Sequence, residues 1–273
     1  MPFRWIKQKI WPERLSPSRN FDHYVSSTPC LQNAVDTVDG WNTSFPPRYE
    51  LKAGSLATYN DPRIIWAMEC FGSLDGRHVL ELGPLEGSHT AMIEAAGARV
   101  DAIEANQHAF MRCLITKEIL GLTRSKFWLG DFLKALENWE QSYDLIVACG
   151  VLYHLKNPLS LIELVARRTN AVYFWTHVVT EESMPRSDPR RLVIAPEVEN
   201  LQFRGMNMRA YRRTYANAEN NVTFCGGIAD EHRWLHRDDL LEALKVVGFT
   251  DIRTAHEEPN HLYGPALSIF ARK

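Results

Sequence analysis

The chain has 273 residues, 45% of them hydrophobic, so it is long enough to bury a full core as one large domain with appendages. Its 31 basic and 33 acidic residues leave a net charge of −2, which argues against a general attraction to nucleic acid or to an anionic membrane. The chain lacks an apolar run of about 20 residues, a secretory signal and any C-x-x-C pair among its five cysteines, which predicts a soluble cytoplasmic protein without disulfides or a zinc site.

Residues 1–59 differ from the rest of the chain and are rich in Pro, Ser, Asn and aromatic residues. Because they show little sustained periodicity, we expect an N-terminal lid or extension ahead of a main domain over residues 60–273. The first stretch would place Phe3, Ile6 and Ile10 near one helical face, which suits an interfacial membrane helix or a helix docked on its own protein. We favour the docked helix, which is the commoner use of such a segment.

The most informative segment begins with an apolar run, His78–Leu82, that predicts a buried strand. The strand stops at Gly83, and a turn leads at Gly87 into a helical stretch. A second apolar run over 100–103 ends on Glu104. Glycines in the first turn and a carboxylate about 20 residues later are typical of nucleoside binding. The turn lets a ligand approach backbone N–H groups, and the acid can hold both ribose hydroxyls.

The turn itself indicates which nucleoside derivative binds. Its sequence, Gly83-Pro84-Leu85-Glu86-Gly87, departs from the G-x-G-x-x-G pattern that seats a pyrophosphate on a helix N-terminus. Glu86 stands where an anion would dock. An acidic turn repels pyrophosphate and favours a cation, and S-adenosylmethionine is a nucleoside that carries a sulfonium and an ammonium.

The rest of the chain alternates helices with strands, which implies a mostly parallel sheet with helices on both faces. Between the fifth strand and the last helix, residues 178–233 are too long for a plain connection. We expect a cap insertion there, over the strand ends where ligands bind in open α/β sheets. The sequence predicts helices over 60–74, 106–120, 158–168 and 237–247, and later strands over 127–129, 143–149, 171–176, 250–254 and 266–271.

The first motif resembles that of the class I S-adenosylmethionine-dependent methyltransferases, roughly (V/L)L(D/E)xGxGxG. Glu81, Gly83 and Gly87 fit it, and Leu85 replaces the middle glycine. The resemblance implies a Rossmann-like seven-stranded α/β sheet whose last strand is antiparallel, with S-adenosylmethionine as the cofactor. It also implies a set of cofactor-binding residues: Glu81, Gly83, Pro84, Gly87, Glu104, Ala105, Asp131, Phe132, Cys149 and Gly150.

Within that set the resemblance gives three residues specific roles. Glu104 would bind the ribose hydroxyls, and Asp131 the adenine amino group, although Asp131 also suits a helix N-cap. Glu81 either bonds the turn near the ligand ammonium or bonds local backbone only, because a buried carboxylate must be satisfied.

The segment after the fourth strand carries the candidate catalytic residues Tyr153 and His154. It is similar to the G-V-L-Y-H segment of a subgroup that includes the tRNA wobble-uridine carboxymethyl-transferring enzyme. His154 suits a general base, since its pKa lies near neutrality, and it suits a structural role equally well. His177, which follows the fifth strand at the same sheet edge, is the second candidate base.

Candidate substrate-binding residues fall inside or just after the predicted cap: Arg209, Tyr211, Arg212, His232 and Trp234. The arginines could bind phosphate, a carboxylate or nucleic acid. They also suit a solvated helix face, which is slightly the better interpretation because residues 178–233 contain eight basic and eight acidic side chains.

These observations together predict a methyltransferase acting on a small-molecule or glycan acceptor, by O-methylation with a histidine base. A tRNA wobble-uridine modifying enzyme is an alternative, although the neutral charge and missing basic face weigh against it. A methyltransferase-like partner subunit without activity is another. No ligand set for a metal is evident in the sequence.

Overall fold

The computed structural model describes residues 24–218, 221 and 223–273. The predicted helix containing Phe3, Ile6 and Ile10 lies outside these residues. Among the helices of the described residues, none combines the length and the apolar character needed to cross a membrane.

A seven-stranded sheet forms the centre of the fold, in the order β3-β2-β1-β4-β5-β10-β9. Strands β1 to β5 pair in parallel, whereas β10 runs antiparallel to both β5 and β9. The predicted α/β sheet with an antiparallel last strand is therefore confirmed. The strands are β1 His78–Leu82, β2 Arg99–Glu104, β3 Ser125–Leu129, β4 Leu145–Cys149, β5 Ala171–His177, β9 Asp251–Glu258 and β10 Ala266–Arg272.

Helices cover the sheet, and their ends follow local chemistry. The Asn106 side chain accepts from Ala109 N at the start of one helix, and Gly121 ends that helix at a φ of 66°. Asp61 caps another and is followed by Pro62. The helices are α1 Leu31–Val35, α2 Pro62–Phe71, α3 Ser88–Ala95, α4 Gln107–Leu120, α5 Phe132–Asn138, α6 Pro158–Arg168 and α7 Arg237–Val246.

The insertion after β5 folds as a three-stranded antiparallel sheet of β6 Ile194–Phe203, β7 Met206–Arg213 and β8 His232–Leu235. Phe203 pairs with Met206 across Arg204 and Gly205, whose φ angles of 48° and 83° suit a tight two-residue hairpin. The predicted arginine-bearing helix face is therefore wrong, because Arg209 and Arg212 lie on a strand of this hairpin.

The chain between residues 35 and 59 packs against α4. Val35 and Phe45 form a small apolar cluster with Ile119 of α4. Thr43 and Leu56 form a short parallel bridge, which folds this part of the chain back on itself. The cluster places the segment against the C-terminal part of α4.

Candidate cofactor and acceptor cavity

A cavity of about 1880 Å³ opens at the carboxyl ends of β1 to β5. Its volume exceeds the roughly 300–1,000 Å³ of a typical single-ligand site, so it has room for a cofactor together with an acceptor. Most of the predicted cofactor and catalytic residues meet in its wall: Gly83, Pro84, Glu104, Ala105, Asp131, Phe132, Cys149, Gly150, Tyr153, His154 and His177.

The turn after β1 has left-handed backbone at its three motif positions. The φ angles are 64° at Gly83, 56° at Leu85 and 80° at Gly87. Glycine adopts such angles freely, whereas Leu85 bears strain there. A Cβ on Gly83 would lie 2.5 Å from Val151 Cγ1, so the turn also needs glycine for close packing. Gly87 does not line the cavity and instead approaches Phe127 of β3.

Glu104 ends β2 inside the cavity wall and is 8% exposed. Its Oε1 accepts from Asn106 N at 2.8 Å and its Oε2 from Leu85 N at 3.1 Å. Burial raises the pKa of the Glu104 carboxyl, against the backbone hydrogen bonds that lower it. Each carboxylate oxygen has a second lone pair, so both can still accept from a ligand hydroxyl.

The two other acids of the first motif are turned to the protein. Glu81 is buried, accepts from Thr90 Oγ1 and does not line the cavity; burial raises the pKa of its carboxyl. Its hydrogen-bond partner is thus a side chain on α3, which neither sequence alternative included. Glu86 is 1% exposed and bonds the backbone of Asn42 and Thr43. Glu86 lines the cavity, but both of its side-chain oxygens accept from the protein and Arg112 Nε lies 3.4 Å from Oε1, so the turn presents less free negative charge than its sequence predicts.

Asp131 follows β3 and caps α5 by accepting from Leu133 N at 2.8 Å through Oδ1. Its Oδ2 makes no hydrogen bond with the described residues, and the side chain lines the cavity. The capping role and an adenine contact are therefore compatible. Gly150, at a φ of 83°, carries the chain past the end of β4.

A charged triad of Asp61, Arg63 and His89, which was not predicted from the sequence, stands beside the end of β4. The Arg63 guanidinium donates to Asp61 through Nε at 3.0 Å and Nη2 at 2.6 Å, and lies 4.6 Å over the Trp175 ring. His89 Nε2 lies 3.0 Å from Asp61 Oδ2. Burial alone would lower the pKa of His89, but hydrogen bonds to Asp61 and Cys149 raise it to about 10. The triad therefore carries a net positive charge at the cavity wall, where Arg63 and His89 are both lining residues.

His177 ends β5 with its protonation pattern fixed by the backbone. Its Nδ1 lies 2.9 Å from the Gly264 carbonyl oxygen, which can only accept, so Nδ1 carries the hydrogen and Nε2 keeps a lone pair. Burial, followed by the charge of His261, lowers the pKa of His177 to about 3. The ring stacks on Trp234 at 4.7 Å and 10°. His177 is therefore a neutral imidazole held in place by its neighbours. It lines the cavity, and its Nε2 keeps a lone pair.

His154 is held differently, by Tyr215 from the cap. Its Nδ1 lies 2.6 Å from Tyr215 Oη, which also accepts from Gly227 N at 2.7 Å. Burial, with the charges of His232 and His177, lowers the pKa of His154 well below its usual value. Tyr153 packs its ring 4.6 Å from that of His177 and 4.1 Å from that of His154. His154 therefore links the loop after β4 to the cap through its contact with Tyr215.

The five predicted substrate residues lie behind or away from the cavity wall. Arg209 pairs with Asp239 at 2.7 Å, and Arg212 lies 3.7 Å from Glu199. Tyr211 is buried.

His232 and Trp234 are also buried, but they support lining residues. His232 stacks on Tyr215, and Trp234 stacks on His177. Other residues line the cavity instead: Trp175, His261, Tyr263 and residues 224–229. The exposed loops that hold His261 and the 224–229 stretch carry no periodic signal in the sequence.

The strand order, the antiparallel β10 and the position of the cavity together define the fold of the class I S-adenosylmethionine-dependent methyltransferases. The chain is similar to the N-terminal domain of EvdMO1, solved with S-adenosylhomocysteine and D-fucose, at 21% identity and a TM-score of 0.66. That match covers 89% of this chain and 95% of the domain. The chain spans 46% of the length of the complete EvdMO1 structure.

Two further structures share the fold at lower identity. A methyltransferase from Clostridium acetobutylicum ATCC 824 is 12% identical, with a TM-score of 0.53 and coverage of 80% of this chain and 92% of that one. Magnesium protoporphyrin IX methyltransferase from Synechocystis PCC 6803 is 15% identical, with a TM-score of 0.51 and coverage of 78% and 81%. No protein-family model matches the chain, and no curated protein matches it significantly.

Proposed function

We propose that the protein is an S-adenosylmethionine-dependent methyltransferase that acts on a small hydroxylated acceptor, with His177 as the general base. The observation that carries this proposal is the convergence of Glu104, Asp131 and His177 in one cavity beside a glycine-flanked turn. When bound, the cofactor supplies a methyl group already activated by its sulfonium. The protein then has to align the two reactants and exclude water.

The residues of the cofactor half suit the different parts of S-adenosylmethionine. Glu104 has lone pairs left for the ribose hydroxyls, and Asp131 has an Oδ2 that accepts from none of the described residues and suits the adenine amino group. The carboxylate of Glu86 is already paired with Arg112 and bonded to the backbone of Asn42 and Thr43, so the turn offers little free negative charge. Arg63 and the cationic His89 supply positive charge instead, which suits the carboxylate of the methionine tail.

The acceptor half supports hydroxyl chemistry. The Gly264 carbonyl fixes the His177 tautomer, so Nε2 is held ready to accept a hydrogen bond from an acceptor hydroxyl. Burial makes Nε2 a weak base, but the attacking oxygen becomes strongly acidic as its bond to the methyl group forms, so Nε2 can take the proton at that stage. The ring is held between Trp234 and Tyr153, which limits its rotation. A sugar is a reasonable first acceptor class, because the similar EvdMO1 domain was solved with D-fucose.

The proposal is tested by incubating the protein with methyl-labelled S-adenosylmethionine and separate pools of deoxysugars, small hydroxylated metabolites and tRNA. We expect label in a low-mass product, with its formation slowed in His177→Ala. Label confined to tRNA would overturn the small-acceptor assignment and favour the wobble-uridine alternative.

The two alternatives from the sequence gain less support. Arg209, Arg212 and Arg233 of the cap each lie close to an acid, which leaves little free positive charge there for tRNA. An inactive partner subunit would be favoured by complete absence of cofactor binding. The cytoplasmic location stays a prediction, as does the division of the chain at residues 59, 178 and 233.

A further inference from the structure

Glu86 is buried in the cofactor turn and bonded to a distant part of the chain. Its Oε1 accepts from Asn42 N at 2.8 Å, and its Oε2 accepts from Thr43 N at 2.7 Å. These donors lie more than forty residues earlier in the sequence. A carboxylate buried at 1% exposure is tolerated because both oxygens are satisfied.

Arg112 of α4 provides the counter-charge and reaches the same segment. Its Nε lies 3.4 Å from Glu86 Oε1, and its Nη1 donates to the Asp39 carbonyl oxygen at 2.7 Å. At 2% exposure, this guanidinium is held between the turn and the N-terminal segment. Removing either partner of a buried ion pair leaves an uncompensated charge. The turn, α4 and the N-terminal segment are therefore energetically coupled through Glu86 and Arg112.

The segment that Glu86 holds is part of the cavity wall. Thr43, Leu56 and Thr58 are lining residues. On the far side, Asn42 Nδ2 lies 3.5 Å from the Thr223 carbonyl oxygen, next to the cap loop that lines the same cavity. Gly54 packs so closely that an added Cβ would lie 2.1 Å from the Asn42 carbonyl carbon. The position of residues 39–58 therefore sets the shape of the cofactor side of the cavity.

We propose that Glu86 is a positioning residue that fastens residues 39–58 over the cofactor turn and closes the cofactor half of the cavity against water. This inference rests on the proposed function, because it assumes that S-adenosylmethionine binds there. Glu86 then bonds the protein and holds the wall of the site, and residues 39–58 form part of the binding site. Excluding water strengthens the polar contacts that the site makes with its ligand.

The test uses two variants that release the segment from opposite sides. Glu86→Gln keeps the shape but opposes an amide NH₂ to a backbone N–H, and Gly54→Ala pushes on Asn42 without altering the turn. Glu94→Gln is the matched control, because Glu94 is also buried and bonded, to Ser125 and Thr123, but does not line the cavity.

S-adenosylhomocysteine affinity and amide hydrogen exchange are measured on all four full-length proteins. We expect its Kd to rise on the order of tenfold in both release variants and to stay at the wild-type value in the control. The ligand should protect the Asn42 and Thr43 amides in the wild type and fail to do so in Glu86→Gln. If Glu86 had only a structural role, Glu86→Gln would unfold at a lower temperature, but the ligand would still protect the Asn42 and Thr43 amides.

Different results would overturn the positioning role of Glu86 and the methyltransferase assignment. Wild-type affinity and protection in both folded release variants would overturn the positioning role and leave the methyltransferase assignment standing. No binding by the wild-type protein would overturn the methyltransferase assignment, and the positioning role with it.

Discussion

The backbone N–H of Leu85 donates to Glu104 Oε2 at 3.1 Å. The residue that replaces the middle glycine of the motif is thus tied to the carboxylate that ends β2. Leu85 has a φ of 56°, a left-handed angle that costs a side-chain-bearing residue about 1–2 kcal/mol. The contact joins the turn and the acid into one unit, and it places backbone strain at the candidate cofactor site.

Relieving this strain should stabilise the protein relative to a matched truncation. We expect the free energy of unfolding of Leu85→Gly to be about 1 kcal/mol higher than that of Leu85→Ala. Both variants lose most of the side chain, but only glycine adopts the left-handed φ at position 85 freely. Urea unfolding of the two variants measures the difference. Equal stability would show that the turn relaxes to an unstrained conformation.

Glu104 should control cofactor affinity. Glu104→Gln replaces one accepting oxygen with a donor, so we expect the binding free energy of S-adenosylhomocysteine to weaken by about 1–3 kcal/mol. Asp101→Asn is the control, because Asp101 lies on the same strand, bonds His78 and Trp128, and does not line the cavity. Unchanged affinity in Glu104→Gln would falsify the ribose assignment.

His177 should contribute more to turnover than His154. We expect His177→Ala to lower kcat by about 10²–10⁴-fold with cofactor affinity nearly unchanged, since removal of a general base affects the chemical step. His154→Ala should have the smaller effect, because His154 is bonded to Tyr215. The measurement is single-turnover methyl transfer to the acceptor found by labelling. The reverse order of effects would transfer the base role to His154.

Stability should fall at alkaline pH because of His89. The pKa of His89 is raised to about 10 in the folded protein, above its unfolded value near 6.5. Its contribution is therefore fully present below pH 6.5 and is lost as the pH rises toward 10. Urea unfolding between pH 6.5 and 9.5 should show a steeper loss in the wild type than in His89→Gln. Parallel curves would contradict a charged His89–Asp61 pair.

Much of the main sheet could be predicted from the sequence because its signals are local. Val79, Leu80 and Leu82 make His78–Leu82 a mainly apolar run, and Asn106 and Gly121 mark the ends of α4 by capping chemistry. Glu104 could be predicted from its place about 20 residues after the glycine turn, and Asp131 from the resemblance to the class I methyltransferases.

Features that depend on distant partners were not predictable in this way. His89 is cationic because Asp61, 28 residues earlier, bonds it. Glu86 is an acid by sequence, but its oxygens accept from Asn42 N and Thr43 N, more than forty residues earlier, so its carboxylate is already bonded where it lines the cavity. Strand β6 lacks a strand pattern because it is an edge strand that contains Pro196 and a register shift before Val198.

The central claim is that this cavity binds S-adenosylmethionine, and calorimetric titration of the full-length protein with S-adenosylhomocysteine tests it most directly. We expect saturable binding at a single site, weakened in Glu104→Gln and unchanged in Asp101→Asn. Absence of heat at high micromolar ligand, with the protein folded, would contradict it.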